Sequence, residues 1–110
     1  MRKLLRQLRE QGKEHKVRIW LELAERLGGS RRSRPEVNLG QLNSFTEEGS
    51  MVVVPGKVLA AGKLEHSVNV AALMFSAPAK RKVIAAGGST LSLQQLIEQN
   101  PSGTGLKLME

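Results

Sequence analysis

Three arginines stand within four residues of one another, in the segment Gly28-Gly29-Ser30-Arg31-Arg32-Ser33-Arg34-Pro35. Glycine and proline at its ends, and the lack of an apolar anchor inside it, predict an irregular loop over residues 30–36. A guanidinium group can donate two hydrogen bonds to one phosphate. Because like charges at this density repel one another unless an anion compensates them, we favour phosphate binding over a solvated charge run for Arg31, Arg32 and Arg34.

A second stretch that could bind an anion covers residues 67–88. Its first part, 68–75, alternates two sets of largely apolar residues, which predicts a core strand with neither face in water. Ser76 stands at an N-cap position, and Gly87-Gly88 is typical of a left-handed C-cap. The spacing therefore predicts a helix over residues 77–86.

This helix carries three consecutive cations, Lys80, Arg81 and Lys82. Val83 and Ile84 are expected to pack on the sheet, which leaves the cations facing away from it. The helix N-terminus could also donate N–H groups to an anion. For this segment taken alone, a solvated helix face beside an ordinary cap is the favoured interpretation.

Catalytic and metal-binding patterns are missing from the sequence. The chain has neither cysteine nor aspartate, which removes thiolate ligands and the carboxylate most often found in Mg²⁺ sites and catalytic triads. His15 and His66 lack paired-ligand spacing, and no phosphate-binding P-loop or nucleophile-elbow motif occurs. We therefore expect neither an enzyme nor a protein with a metal or other cofactor.

The positive charge is concentrated in the first third of the chain. Of the formal net charge of +7, residues 1–34 supply eleven Lys and Arg against four Glu, whereas residues 35–110 hold six against six. A basic arm on a neutral body is typical of a protein that binds a polyanion, although an anionic membrane surface would respond to the same charge. Neither a signal peptide nor an apolar run of about 20 residues is recognisable, so we expect a soluble intracellular protein.

At 110 residues the chain is expected to form one domain. Residues 1–29 are predicted to be a helical N-terminal arm, because Leu4, Leu5 and Leu8 indicate a short amphipathic helix that Gly12 weakens and a stronger apolar stripe follows. That stripe places the following residues on one helical face, with Trp20 in the core: Val17, Trp20, Leu21, Ala24 and Leu27.

Residues 37–110 are predicted to form a mixed α and β body after the loop. Residues 37–42 read as a short strand or extended segment, and Phe45 is expected in the core. Pro55-Gly56 is predicted to form a turn at which the chain reverses or bends sharply. The remaining predictions are turns at 47–50 and 61–63, strands at 51–54, 57–60 and 106–108, an extended segment at 89–91 and a helix that Ser92 caps.

Aromatic side chains are scarce: Trp20, Phe45 and Phe75 are the only ones. If all three lie in the core, no platform remains on which unpaired bases could stack. With base stacking excluded, a nucleic acid could still be recognised through its phosphates, its sugars and the shape of its helices. This is how a protein binds a folded RNA.

An ordered series of short segments resembles one known family. The segments are Val37-Asn38-Leu39, Val52-Val53-Val54-Pro55-Gly56-Lys57-Val58-Leu59, Val70-Ala71-Ala72-Leu73, Phe75-Ser76 with Ala79, and Ile84-Ala85-Ala86-Gly87-Gly88. Together they resemble protein eighteen of the archaeal and eukaryotic large ribosomal subunit, a family related to bacterial large-subunit protein fifteen. The resemblance extends over nearly the whole chain, and the compact length is similar to that of archaeal members.

The resemblance implies a structural protein of the cytoplasmic ribosome that binds large-subunit ribosomal RNA and supports its folding and translation, with no catalytic activity, cofactor, membrane or small-molecule substrate. Its implied partners are that RNA and neighbouring large-subunit proteins. The implied fold is an irregular stack of strand–strand–helix units, preceded here by N-terminal helices. The positions implied to face RNA are Arg31, Arg32, Arg34, Lys57, Lys63, Ser76, Lys80, Arg81, Lys82, Gly87 and Gly88.

Two other functions fit parts of the sequence. A protein-interaction module that works without RNA could use the N-terminal helices as its partner-binding surface. A small protein that compacts DNA would show the same segregated positive charge.

Overall fold

The computed structural model describes residues 2–15, 18–27, 36–100 and 105–109. Within these ranges the helices are α1 (Arg2–His15), α2 (Arg18–Leu27), α3 (Leu39–Phe45), α4 (Ala77–Ala85) and α5 (Leu93–Gln99). The strands are β1 (Glu36–Asn38), β2 (Ser50–Leu59), β3 (Val68–Phe75), β4 (Ser89–Ser92) and β5 (Leu106–Leu108).

These strands form one sheet in which every pairing is parallel. The order runs β1, β2, β3, β4, and β5 also pairs with β2. β3 pairs with one edge of β2. The other edge of β2 pairs with β5 at residues 51–53 and with β1 at residues 57–59, so β5 and β1 lie end to end. Helices α3, α4 and α5 lie in the crossovers that parallel pairing requires. The predicted mixed α and β class is confirmed, and β2, β3 and α4 follow in strand–strand–helix order.

Each face of the sheet is covered by its own group of helices. On one face, α3 and α4 bury Leu39, Leu42, Ala79 and Val83 against alternate residues of β2 and β3 such as Val52. The other face is covered by α1, α2 and α5, whose buried residues include Leu8, Trp20, Leu23, Leu96 and Ile97. Since both faces are covered, the central strands carry near-continuous apolar runs, as buried parallel strands do.

The second N-terminal helix differs from the prediction in phase. α1 includes Gly12 and extends to His15, although glycine weakens a helix interior. In α2, Trp20 is buried as predicted, but Leu21 is 40% exposed while Leu23 is buried. The apolar stripe is therefore rotated from the predicted one, because the helix packs on the sheet and on α1 together.

The chain does not reverse at Pro55-Gly56, so the predicted reversal is wrong, and the other alternative, a sharp bend, is reduced to an irregularity within one strand. β2 continues to Leu59, and the register with β3 shifts between Val54 and Lys57, which marks a β-bulge. Proline inside a sheet is found at such irregularities because it has no N–H to donate. The bulge accommodates Pro55-Gly56 within β2, so one long strand pairs with β1, β3 and β5.

The prediction of an extended segment over residues 37–42 holds only for its beginning. β1 ends at Asn38, and α3 starts at Leu39 with a capping box in which the backbone N–H of Asn38 donates to Oε1 of Gln41, 2.8 Å away. The expected core position of Phe45 is also wrong, because its side chain is 73% exposed. Each three-residue step from Leu39 through Leu42 to Phe45 falls about 60° short of a full turn, so the ring has rotated away from the buried stripe.

Several other local predictions are confirmed. Ser92 caps α5 in a capping box with Gln95, and Leu93, Leu96 and Ile97 are buried. Turns at Gly49 and Gly62 and strands near 51–54, 57–60, 89–91 and 106–108 occur where the sequence indicated them.

Candidate nucleic-acid interface

The helix α4 is fixed at both ends by the residues that predicted it. At its start, Oγ of Ser76 accepts a hydrogen bond from the N–H of Ala79 at 3.2 Å. At its end, the N–H groups of Gly87 and Gly88 donate to the carbonyl oxygens of Ile84 and Val83, both at 3.0 Å, in the pattern of a Schellman motif. The helix therefore presents its exposed side chains from a rigid support.

Only part of the predicted α4 packing is found. Val83 is buried with Ala79, four residues earlier, whereas Ile84 is 56% exposed and does not pack on the sheet as expected. Lys80, Arg81 and Lys82 are all exposed. Because residues on a helix are spaced by about 100°, the three cations cover both flanks and the crest of its outer face.

One flank of α4 brings together two predicted residues that are far apart in the chain. Lys63 and Lys82 line the same cleft, of about 360 Å³, with Gly62, Leu64, Glu65, Ala85 and Ala86. The loop that carries Lys63 is held at Ala60, whose carbonyl oxygen accepts a hydrogen bond from Nζ of Lys82 at 2.9 Å. Lys82 therefore both contributes a charge and ties the loop to the helix.

Glycine places this loop against α3. Gly62 has a positive φ of +90°, and a Cβ added to it would lie 2.6 Å from the Cα of Gly40. The N–H of Gly40 donates to the carbonyl oxygen of Ala61 at 3.0 Å. Since a larger side chain does not fit here, the close approach of two glycines determines where Lys63 lies.

Lys80 lies on the opposite flank of α4, at the C-terminal ends of β3 and β4. It lines a cleft of about 270 Å³ with Met74, Gln95 and further residues of these strands. Lys57 is separate from both clefts: it is half-buried in β2, in register with Glu36 of β1 and Met74 of β3. Lys57 lines neither of the two clefts, and we do not group it with the α4 cations.

Three predicted positions already have structural roles. The N–H groups of Gly87 and Gly88 and the hydroxyl of Ser76 are used in the helix caps. A Cβ on Gly88 would overlap the carbonyl oxygen of Val68, so glycine is required where β4 begins beside β3. These hydrogen bonds and contacts account for Ser76, Gly87 and Gly88 without a bound anion.

None of the cations that remain lies within salt-bridge distance of a described carboxylate, although Glu65 lines the same cleft as Lys63 and Lys82. We define the basic surface as Lys63, Lys80, Arg81 and Lys82. Arg31, Arg32 and Arg34 lie outside the described residues.

A contrasting surface, which the sequence interpretation missed, surrounds Phe45. Phe45, Thr46, Val52, Lys107, Leu108 and Met109 line a cleft of about 320 Å³, here called the Phe45 cleft. The exposed residues Glu47 and Glu48 follow directly in the chain. A signal was present in the sequence, since residues 36–50 hold three Glu and no Lys or Arg. It was hidden by counting charge over the whole of residues 35–110.

In the part of the chain that the structure describes, no three metal-binding side chains of His, Cys, Asp or Glu come together. No helix in the same ranges has the length and apolar character needed to cross a bilayer.

Comparison with known proteins gives consistent matches over almost the full length. Residues 2–110 match the family model described as ribosomal protein 60S L18 and 50S L18e. The protein named large ribosomal subunit protein eL18 in Methanospirillum hungatei is 42% identical over 106 residues, which cover 96% of this chain and 88% of the relative. The eL18 proteins of Methanothermobacter thermautotrophicus and Pyrobaculum aerophilum are 41% and 42% identical, over 98% and 99% of this chain and 89% of each relative.

Proposed function

We propose, since the chain belongs to the family of ribosomal proteins 60S L18 and 50S L18e, that it binds large-subunit ribosomal RNA through its basic surface. Members of this family are structural components of the large ribosomal subunit and not enzymes, and this chain is accordingly a structural constituent of the ribosome. Its proposed location is the cytoplasmic ribosome, with neighbouring large-subunit proteins as further partners.

The observation that carries the RNA-binding proposal is the exposed set of cations on and beside α4, none of which lies within salt-bridge distance of a described carboxylate. Lys80, Arg81 and Lys82 extend from a helix that is capped at both ends, and Lys63 is held beside Lys82 by the loop contacts. Because the backbone that carries these side chains is fixed, it does not have to be ordered when they meet phosphates. Each phosphate contact also releases condensed counterions, which favours binding.

Binding is proposed to read phosphate and backbone shape. The three aromatics do not form a stacking platform: Trp20 is buried on one sheet face, Phe75 is half-buried at the other, and Phe45 lies beside two carboxylates. Phosphate and sugar contacts position a protein on a folded RNA without reading base edges.

Arg31, Arg32 and Arg34 are proposed to extend the same interface. Their charge density supports this assignment independently of the family resemblance. Lys57 is a weaker candidate because it is half-buried beside Glu36, and Ser76, Gly87 and Gly88 are proposed to act by positioning α4.

The alternative of a protein-interaction module built on the N-terminal helices is disfavoured. Leu8, Trp20, Leu23 and Leu27 are buried against the sheet, so the apolar stripes of α1 and α2 are already used in the core. The described part of these helices leaves no comparable apolar stripe for a partner.

The test is the salt dependence of binding to purified large-subunit ribosomal RNA. For Lys80→Gln with Arg81→Gln, the slope of log affinity against log salt should fall by about 1.4 to 1.8, because each lost phosphate contact removes about 0.7 to 0.9 from it. Lys107→Gln, in β5 and in the lining of the Phe45 cleft, is the matched control and should leave the slope unchanged. An unchanged slope in the double variant would refute the assignment of α4, and equal affinity for competitor duplex DNA would favour the DNA-compacting alternative.

A further inference from the structure

The Phe45 cleft combines features that suit a protein segment rather than RNA. It is lined largely by apolar groups, and the Phe45 ring at its edge is 73% exposed. Exposed aromatics of this kind are characteristic of the anchoring positions in protein interfaces. Stacking of an unpaired base on the ring would bring the RNA backbone towards the neighbouring carboxylates of Glu47 and Glu48.

A free strand edge adjoins this cleft. β5, which supplies Lys107 and Leu108 to the lining, pairs with β2 on one side and with no other strand of the described residues. The N–H of Met109 donates to the carbonyl oxygen of Val53 at 2.9 Å, so that side of the strand is occupied. Because backbone groups alternate along a strand, those of Leu108 face the outer edge, where an extended chain could pair with them.

The turn that adjoins the cleft carries two carboxylates. The charged residue in the lining itself is Lys107, and Glu47 and Glu48 follow the lining residue Thr46 in the chain. Together these three side chains leave a net charge of −1, in a protein whose total is +7. Neither carboxylate forms an ion pair within the described residues. The turn that carries them is ordered by its own hydrogen bonds: the N–H of Glu47 donates to Oγ of Ser50 at 3.0 Å, and the N–H of Gly49 to the carbonyl oxygen of Ser67 at 2.8 Å.

We infer that the Phe45 cleft and the outer edge of β5 bind an extended, Lys- and Arg-rich segment of another protein of the large ribosomal subunit. An apolar side chain of that segment packs on Phe45, its backbone pairs with β5, and its cations meet Glu47 and Glu48. Strand addition supplies affinity through the backbone, while the cleft and the two carboxylates supply selectivity. The inference rests on the proposed function, because the partner is sought inside the subunit.

Site-directed photocrosslinking in assembled large subunits tests this directly. Benzoylphenylalanine replaces Phe45, the subunits are isolated and irradiated, and the attached species is identified by mass spectrometry. The expected product is a crosslink to a Lys- and Arg-rich stretch of a different large-subunit protein. A crosslink to ribosomal RNA or to a second copy of this chain, or no crosslink at all, would overturn the inference.

The same probe at Ile84, which is 56% exposed on α4, is the matched control. It is expected to reach ribosomal RNA. If it does while the Phe45 probe fails to reach protein, the docking inference alone is refuted; if the Ile84 probe does not reach RNA, the proposed function fails instead.

A second variant tests the charge complementarity. Glu47→Gln with Glu48→Gln should lower the yield of the Phe45 crosslink by about fivefold, the combined effect expected of two exposed ion pairs. Glu98→Gln, which removes an exposed carboxylate from α5, should leave the yield unchanged. Equal yields from the double variant and the unaltered chain would show that the carboxylates do not select the partner.

Discussion

The basic surface on α4 and the acidic region around α3 lie in the same helical layer yet present opposite charge. Both helices bury two residues against the same sheet face, Leu39 with Leu42 in α3 and Ala79 with Val83 in α4. Their exposed residues differ, since 76–88 holds three Lys or Arg and no acid, whereas 36–50 holds three Glu and no Lys or Arg. The buried stripe places each helix on the sheet, and the exposed residues determine what each can bind.

In both regions, the residues that position the helix are different from the exposed charged residues. Ser76, Gly87 and Gly88 hold α4 in position through hydrogen bonds and a close backbone approach. On the α3 side, the capping box of Asn38 and Gln41 has the same purpose. Variants of these residues should therefore act on stability, and variants of the exposed charges should act on binding.

Among variants on or next to α3 and α4, the largest expected effect is that of Gly88→Ala on folding. The added Cβ would overlap the carbonyl oxygen of Val68, so β3 and β4 must separate, and we expect a loss of about 3 kcal/mol in the free energy of unfolding. Urea denaturation measures it. Gly49→Ala is the control: its φ of +81° makes alanine unfavourable, but no atom lies within 4 Å, so a loss of only about 1 kcal/mol is expected. Equal losses would show that the contact with Val68 is unimportant.

The next largest effect concerns RNA affinity and the extent of the basic region. Replacing Arg31, Arg32 and Arg34 by alanine should weaken RNA binding and lower the slope of log affinity against log salt by about 3, if each arginine neutralises one phosphate. Filter binding over a series of salt concentrations gives the slope. A slope equal to that of the unaltered chain would show that this loop is not part of the RNA interface. The interface would then be limited to α4 and its neighbours.

A smaller effect distinguishes two lysines on the same helix. Lys82→Gln removes the hydrogen bond to the carbonyl oxygen of Ala60, and since this bond is exposed we expect a loss of about 0.5 kcal/mol in stability. Lys80→Gln should leave stability unchanged, while the two variants should weaken RNA binding to a similar degree. Thermal unfolding of both variants in parallel provides the measurement, and an equal stability for both would contradict the role of Lys82 in holding the loop.

The smallest effect is expected for Phe45→Ser. Because the ring is 73% exposed, the free energy of unfolding should change by no more than about 0.5 kcal/mol. Trp20→Ala, at a fully buried aromatic, should cost about 3 to 5 kcal/mol in the same urea titration. If Phe45→Ser proved as costly as Trp20→Ala, Phe45 would belong to the core and its surface role would be lost.

Local signals in the sequence predicted much of the fold. Ser76, Ser92 with Gln95 and the Gly-Gly pair after α4 each form hydrogen bonds with residues only a few positions away, so their effect could be read from the chain alone. The buried character of β2 and of the first part of β3 was likewise visible in continuous apolar runs, whereas Met74 near the end of β3 is 58% exposed, contrary to the prediction of a strand with neither face in water.

The errors arose where distant contacts determine the outcome. Pro55-Gly56 would suit a turn, but pairing with strands on both sides keeps β2 extended. Phe45 looked like a core residue because it is aromatic, and its exposure follows from the phase of a short helix that was not predicted. In α2, Leu21 was predicted on the buried face and is exposed, whereas Leu23 is buried. The reason is related, since α2 packs on both the sheet and α1.

The candidate site was only partly accessible from the sequence. The run Lys80 to Lys82 could be recognised directly, but its proximity to Lys63 depends on the loop contact at Ala60 and on the approach of Gly62 to Gly40. The Phe45 cleft joins α3 to β5, more than fifty residues later, and no local pattern reports such a juxtaposition.

The most direct test of the central claim is the reactivity of individual lysines when the chain binds RNA. The purified chain is acetylated free and in complex with large-subunit ribosomal RNA, and the modified lysines are quantified by mass spectrometry. Lys63 and Lys80 should lose most of their reactivity in the complex, while Lys107 beside the Phe45 cleft should keep it. Protection of Lys107 with Lys80 still reactive would contradict the account, because RNA would then lie on the acidic side of the molecule.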